Sequence, residues 1–353
     1  MKEEEDMAPG WDAIEDAMTK LYGSQMPMHY GSSLPAMFGG DPLDGISVYK
    51  ADHPAPHWHM VTFGFTELYG KEKEDKEHSG FGFELTFRLK RSETEEQPPA
   101  WAIDLLQNMG RYIYKSGNRF QSGDYLDTNG PICLGSDTKL TALCYTEDPE
   151  LPSIETPNGR MEFIQMIGIT GDERDAMQTW NSHAMLKICE PYMPYYITDL
   201  ERSSLLMLPA VATAVEEGLK RDGSNTGFLY VSQLGWEPPV KRLLRKSPAV
   251  LTLGAKQAEI IGKMLSGRIL KQNPLYLSGP NVRVALEPGD NPVIEEGPEH
   301  IRIVLDATTV AELSSKLRPK EELIKLSAFK GLTVQVAKTY IKDQQDNVVE
   351  TIG

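Results

Sequence analysis

Three cysteines in 353 residues leave the chain little to be stapled with. Cys133, Cys144 and Cys189 are an odd number with no CxxC spacing, which speaks against a disulfide framework and against cysteine-type zinc sites and suits a reducing compartment. No apolar run approaches the ~20 residues that cross a bilayer. The start, MKEEEDMAPG, lacks the basic and apolar regions of a secretory signal. A cytoplasmic location with no membrane partner is the expectation. Catalytic signatures are missing too: no serine sits in a GxSxG elbow, and neither GxxxxGK[ST] nor HExxH occurs. The glycines of SGFGFE lie inside a strand pattern and not at a strand-to-helix junction, so they do not make a phosphate cradle. There is no internal repeat, no long low-complexity tract and no coiled-coil heptad. A chain without these devices is expected to be neither an enzyme nor the holder of a cofactor.

What is present is organised around residues 57 to 91. HWHMVTFGFTELYG and FGFELTFRLKR both alternate with period two, and the second arm places Phe81, Phe83, Leu85, Phe87 and Leu89 on one face against Gly82, Glu84, Thr86, Arg88 and Lys90 on the other. This predicts an antiparallel strand pair with one buried face. Before it, Trp11, Ile14, Ala17, Met18 and Leu21 share a helical face. A short strand is expected at Ile46 to Tyr49. After it, Pro98-Pro99 open a helix over AWAIDLLQNMGRYIYKS. Strands are expected in KLTALCYTEDPEL and GRMEFIQMIGIT. A helix over Asp172 to Cys189 opens on a capping-box-like Thr170 to Glu173. A helix over AVATAVEEGLKRDG follows, and GFLYVSQLGW reads as the closing strand of the domain.

At roughly 150 residues per domain the length suits two domains. EPPVKRLLRKSPAV is bounded by prolines and basic, which marks residues 241–250 as a linker between a domain at 1–240 and a smaller one at 251–353. Both read as α+β, each a mixed or antiparallel sheet with packed helices. The net charge of −15 is divided unequally, −19 over residues 1–240 and +4 over the rest. An acidic larger domain disfavours direct nucleic-acid binding and favours a basic protein partner.

Three imidazoles, His53, His57 and His59, offer zinc or iron chemistry and with it a metal-dependent hydrolase. No carboxylate accompanies them at a recognisable spacing, and a mixed His/Trp strand reads as structural. The acidic runs Glu72 to Glu77 and Glu93 to Glu96 read as solvated loops, with a docking surface for a basic protein as the alternative. Tyr112, Tyr114 and Tyr125 flank Asp124, and half-exposed tyrosines serve interfaces as often as cores.

HPAPHWHMVTFGFTELYG, SGFGFELTFRLKR, PPAWAIDLLQNMGRYIYKSGNRFQSGDY, YTEDPEL, QTWNSHAMLKI, YYITDL and RDGSN, in that order, closely resemble the Suppressor of fused family, and KMLSGRILKQNPLYL and IRIVLDATTVAELSSKL resemble its second domain. The resemblance implies a non-enzymatic binding protein without cofactor or metal, whose two domains form a clamp around a segment of a partner protein that adds as a strand. It implies partner contacts at Tyr112 and Asp124, at Glu147 in YTEDPEL, at an edge strand from Val231 through Gln233 to Leu234, and at Leu265. Animal members sequester a transcription factor and carry a long insertion near the domain junction. Here the linker is about a dozen residues. That compactness is similar to the bacterial members and implies an inhibitory immunity protein that neutralises a toxin.

Overall fold

The computed structural model describes residues 8–31, 42–70, 77–242, 245–342 and 347–353. Of the acidic run 72–77, only Glu77 lies among them. The chain divides into two compact α+β units, residues 1–174 with 182–211, and residues 175–181 with 212–353. The stretch expected as a linker, 241–250, lies inside the second of these.

The first unit is built on an eight-stranded mixed sheet: β1 (Met28–Gly31), β2 (Gly45–Ala51), β3 (His57–Phe63), β4 (His78–Lys90), β5 (Tyr125–Asp127), β6 (Leu140–Glu147), β7 (Ile154–Thr156) and β8 (Gly159–Thr170). Their order is β1-β2-β3-β4-β8-β6-β5, with β7 hung on β8. β3 and β4 pair antiparallel as the alternation predicts, Trp58 opposite Leu89 and Met60 opposite Phe87, whereas β4 and β8 run parallel.

The expectation of a single buried face is corrected. Every residue of β3 is buried, and on β4 Glu84, Thr86 and Arg88 are as inaccessible as Leu85 and Phe87. Both faces are covered, for an identifiable reason. On one face Trp58, Met60, Leu85, Phe87 and Met166 pack on helix α2 (Ala100–Ser116) through Leu106, Met109 and Ile113. On the other, Val61, Phe63, Met161 and Phe163 pack on helix α1 (Pro9–Tyr22) through Ile14 and Met18. Each such side chain contributes about 1.5–3 kcal/mol when fully buried. α2 starts after Pro99 and stops at Gly117, whose left-handed φ of 71° lets its N–H reach the Ile113 carbonyl at 2.8 Å.

Glu173 performs the capping that its spacing predicts, accepting from the Thr170 N–H at 2.9 Å. The helix expected over 172–189 is two helices, α3 (Gly171–Thr179) and α4 (Ser182–Cys189). α5 (Pro209–Asp222) follows.

GFLYVSQLGW is also two elements. β9 (Phe228–Tyr230) and β10 (Gly235–Glu237) are separated by a turn at 231–234 and enter different sheets. The remaining strands are β11 (Lys241–Arg242), β12 (Arg245–Lys246), β13 (Ala249–Gly254), β14 (Leu275–Ser278), β15 (Arg283–Pro288), β16 (Val293–Glu296), β17 (Ile301–Leu305), β18 (Glu322–Lys325), β19 (Leu332–Ala337), β20 (Thr339–Lys342) and β21 (Val348–Ile352). A five-stranded sheet runs β16-β17-β15-β14-β9 and a four-stranded one β10-β13-β19-β18. Between them they share one core with α6 (Ala255–Arg268) and α7 (Ala307–Lys316), in which Leu229, Leu251, Ile261, Leu265, Ile303 and Val334 are buried. Asp306 caps α7 through the Thr309 N–H at 2.8 Å.

Candidate protein-binding site

Three of the residues singled out in the sequence meet around Tyr145, a fully buried residue of β6. Phe120 stacks on the Tyr145 ring at 4.0 Å, and Tyr112, on the last turns of α2, tilts against Phe120 at 6.0 Å. Asp124 is exposed, but its backbone is fixed to the same residue: the Tyr145 N–H donates to the Asp124 carbonyl at 2.9 Å, and the Gly123 N–H to the Tyr145 carbonyl at 2.8 Å. Its carboxylate Oδ2 accepts from the Gln121 N–H at 2.8 Å, a local turn that holds the side chain in one orientation. Gly123 is needed here because its φ is +95°. Glu147 ends β6 two residues beyond Tyr145, so its exposed side chain leaves the strand on the same side. The Tyr112 hydroxyl accepts from Asn118 Nδ2 at 2.8 Å. These groups lie beside β5, the last strand of the sheet. The site is acidic and aromatic, and its acids sit on rigid backbone. Such a surface can accept hydrogen bonds and cations from a partner without first having to be ordered.

In the second unit the candidates are placed differently. Val231, Leu234 and Leu265 are core residues, and Gln233 donates to the Lys338 carbonyl at 2.8 Å while accepting from the Thr339 hydroxyl at 2.6 Å. The edge strand expected at 231–234 is the turn after β9. The residues at the sheet edge are Phe228, Leu229 and Tyr230, with Phe228 and Tyr230 59% and 58% exposed and Leu229 buried. The signal was available as alternation in GFLYV, but an apolar run of that length does not reveal where a strand stops.

Of the three histidines weighed as metal ligands, His53 is exposed and the other two are buried. His57 and His59 are inaccessible; His57 Nδ1 bonds the Ala55 carbonyl at 2.8 Å and His59 Nδ1 the Tyr22 hydroxyl at 2.8 Å. Burial, helped by Arg88, lowers both to about 4 and keeps them neutral. Among the described residues no group of three or more His, Cys, Asp or Glu is arranged to hold a metal ion. The histidines belong instead to a buried polar layer on the sheet. Arg88 donates through Nη1 to Asp148 Oδ2 and to Gln165 at 2.5 Å each, and through Nη2 to Asp148 Oδ1 at 3.0 Å and Glu150 at 2.9 Å. Burial alone would push the Asp148 carboxyl up. The His59 imidazole, whose Nε2 lies 3.3 Å from Oδ2, and the Arg88 cation override it and hold it far below the usual carboxylate range.

No helix among the described residues is long and apolar enough to cross a membrane.

Comparison with known proteins places these features. A family profile described as Suppressor of fused protein (SUFU) matches residues 39–203, which include β2 to β8, α2 and the Tyr112, Asp124 and Glu147 cluster. The Suppressor of fused homologs of Homo sapiens and Mus musculus are each 35% identical over 235 residues, 61% of this chain and 48% of theirs. The chain thus spans about half the length of the curated relatives it matches. The crystal structure of Drosophila Suppressor of Fused shares the fold, with a TM-score of 0.76 at 22% identity over 94% of this chain and 97% of that one. A crystal structure of a Sufu–Fu complex matches with a TM-score of 0.57 at 31% identity, over 60% of this chain and 98% of that one.

Proposed function

This chain belongs to the Suppressor of fused family, and from that premise we propose that it is a non-enzymatic regulator that sequesters a partner protein. The observation that carries the proposal is the cluster of Tyr112, Asp124 and Glu147 around Tyr145, at the end of the sheet where β5 lies. An extended segment of the partner adds alongside β5, its main chain supplying affinity and the acidic and aromatic side chains selecting its sequence. The exposed edge of β9, with Phe228 and Tyr230, offers the same mode in the second unit. One of the similar structures is a complex of a Suppressor of fused with another protein, which supports a regulator that works by binding. The reading as an immunity protein rests on chain compactness alone and has less support.

The first unit carries 17 basic and 33 acidic residues, net −16. A basic partner gains association rate from such a field, and the rate should fall with added salt. Affinity capture from the native host, with the full chain as bait and mass spectrometry of what is retained, tests the proposal. A stoichiometric basic protein that is retained by the parent and released by Tyr112→Ala and Asp124→Arg supports it. Retention by all three forms alike places the site elsewhere.

A further inference from the structure

The outer face of the five-stranded sheet in the second unit carries two cavities that run into each other. Alternation sets which residues reach that face: Leu229, Leu275, Leu277 and Val284 turn into the core, which leaves Phe228, Tyr276, Ser278 and Arg283 outside. Register sets which of these are neighbours. Tyr276 lies beside Phe228 and Ser278 opposite Arg283. β15 and β17 run parallel with Val284 beside Ile301, so Arg283 comes next to His300 and hence to Glu299. The same pairing sets two hairpin ends side by side. One is closed by the Gly279 N–H on the Val282 carbonyl at 2.8 Å, the other by the Gly297 N–H on the His300 carbonyl at 3.1 Å. Between them lies a polar cavity of about 400 Å³, lined by Arg283, Glu299 and His300. An apolar cavity of about 310 Å³ shares Ser278, Arg283 and His300 with it and reaches Phe228 and Tyr276, which are 59% and 46% exposed. Elsewhere on this face the charges are already used, Arg302 being held by Glu287 at 2.7 Å and Glu295 at 2.9 Å. Arg283 and Glu299 make no ion pair or side-chain hydrogen bond among the described residues, with each other or with any other group.

We propose that the joined cavities bind a free amino acid with an aromatic side chain, its carboxylate on Arg283, its ammonium on Glu299 and its ring against Phe228 and Tyr276. An unpaired cation and an unpaired anion at neighbouring positions match a ligand that carries both charges on one carbon. The Arg283 guanidinium presents a planar fork of donors that suits a carboxylate, with the Ser278 hydroxyl and the His300 imidazole lining the same space. The apolar half adds the preference for a ring, because aromatic faces gain by stacking or edge contact with another ring. Cavities of this size, apolar with a few convergent polar groups, are typical of small-ligand sites. Pro280 and Pro298 stiffen the two hairpin ends, so little ordering is left for the ligand to impose. Charge decides against larger occupants. A nucleic-acid strand would bring successive phosphates to a single arginine and against Glu299, whereas its binding rests on several phosphates being neutralised. The main chain of an internal peptide residue has neither a free ammonium nor a free carboxylate and leaves both charges unmatched. The site lies on the sheet face, apart from the main-chain edge of β9, and uses none of Tyr112, Asp124 or Glu147.

The test titrates the full chain with L-phenylalanine and follows binding by saturation-transfer difference NMR. Saturable binding is expected. It should weaken by about tenfold or more for N-acetyl-L-phenylalanine, which lacks the ammonium, and for L-phenylalanine amide, which lacks the carboxylate, because each loses a charge-assisted contact. L-alanine, which lacks the ring, should also bind more weakly. Arg283→Gln and Glu299→Gln stand at exposed positions and should leave the circular dichroism spectrum unchanged, and each should weaken L-phenylalanine by a similar factor. The proposal is overturned by no saturable binding at millimolar L-phenylalanine, or by either variant binding it as the parent does. L-alanine binding as tightly as L-phenylalanine overturns it too, since Phe228 and Tyr276 would then play no part. Equal binding of N-acetyl-L-phenylalanine amide, which mimics an internal residue, overturns it in favour of a peptide segment as the occupant.

Discussion

Arg88 grips Asp148 with both terminal nitrogens, Nη1 to Oδ2 at 2.5 Å and Nη2 to Oδ1 at 3.0 Å, in a place where neither side chain is exposed. The pair ties β4 to the turn after β6, and Asp148 also accepts from the Thr86 hydroxyl at 2.7 Å and from the backbone N–H groups of Glu150 and Leu151. With Arg88→Met, Asp148 is left as an uncompensated buried charge, a loss of about 3–5 kcal/mol. Urea denaturation followed by circular dichroism measures it. A midpoint unchanged from the parent would show that water or a local rearrangement already solvates Asp148.

Acid should unfold the first unit sooner than its carboxylates alone require. His57 and His59 are lowered to about 4 by burial, so between pH 4 and 6.5 the unfolded chain binds protons there that the folded chain does not. Stability carried by these groups is present above pH 6.5 and lost as pH falls toward 4. Asp148, held low in the folded state, is likewise a group whose stabilisation disappears on acidification.

Glu84 acts in the opposite sense. Burial raises it to about 7 against the hydrogen bonds it accepts from Thr66, Thr62 and the Gly64 N–H, so its folded state favours the proton and loses stability as pH rises from 4.5 to 7. Thr62 can serve either state, since its hydroxyl also reaches the Leu85 carbonyl at 3.3 Å. Two histidines against one glutamate leave stability rising with pH between 4.5 and 6.5 by about one proton's worth, roughly 1.4 kcal/mol per pH unit. Urea midpoints across that range should show the slope flattened by His59→Gln and steepened by Glu84→Gln. A slope untouched by His59→Gln removes the histidines from the account.

The strand pair, α1, α2 and the capping of α3 were legible in the sequence because each is a local pattern: period two in FGFELTFRLK, helical spacing in WDAIEDAM, and a Glu three residues past Thr170. The same alternation misled about burial. Glu84 and Arg88 stand on the polar side of β4, and nothing within that strand announces that α1 and Asp148, distant in sequence, will cover it. Tyr112 and Asp124 were found through family resemblance, whereas Phe120 and Tyr145, which hold them together, carry no local signal of that role. Val231, Leu234 and Leu265 show the reverse: residues that a resemblance places at a groove are here packed into the core.

Asp124 depends on Gly123 as much as on its own side chain. A Cβ at residue 123 would sit 2.6 Å from His183 Cε1, on a backbone with φ of +95°. Gly123→Ala should therefore cost about 1–3 kcal/mol of stability through strain. It should also weaken partner capture by turning the Asp124 carboxylate, although the carboxylate itself is intact. Asp124→Arg should lose on the order of 2–4 kcal/mol of partner binding with little effect on folding. If Gly123→Ala binds the captured partner as the parent does, the orientation of the carboxylate is irrelevant and charge alone matters.

The position of the domain boundary can be tested by dissection. A fragment of residues 251–353 corresponds to the smaller domain marked out by the basic, proline-bounded stretch, but it omits Leu229, Val231 and Leu234 from the core of the second unit and Trp236 from its margin. It also strips β14 of its partner β9 and β13 of β10, where Trp236 stands opposite Leu251. A fragment of residues 175–353 keeps these, and keeps Trp180 with its indole against Gly218 and its Nε1 bonded to Asp222 at 3.3 Å. Burial of the three core side chains at about 1.5–3 kcal/mol each is comparable to a large part of a typical domain's stability. The longer fragment should therefore unfold cooperatively and give dispersed amide resonances, and the shorter one should do neither. A cooperative transition in 251–353 would put the boundary at 241–250 after all and make β9 and β10 dispensable to the fold.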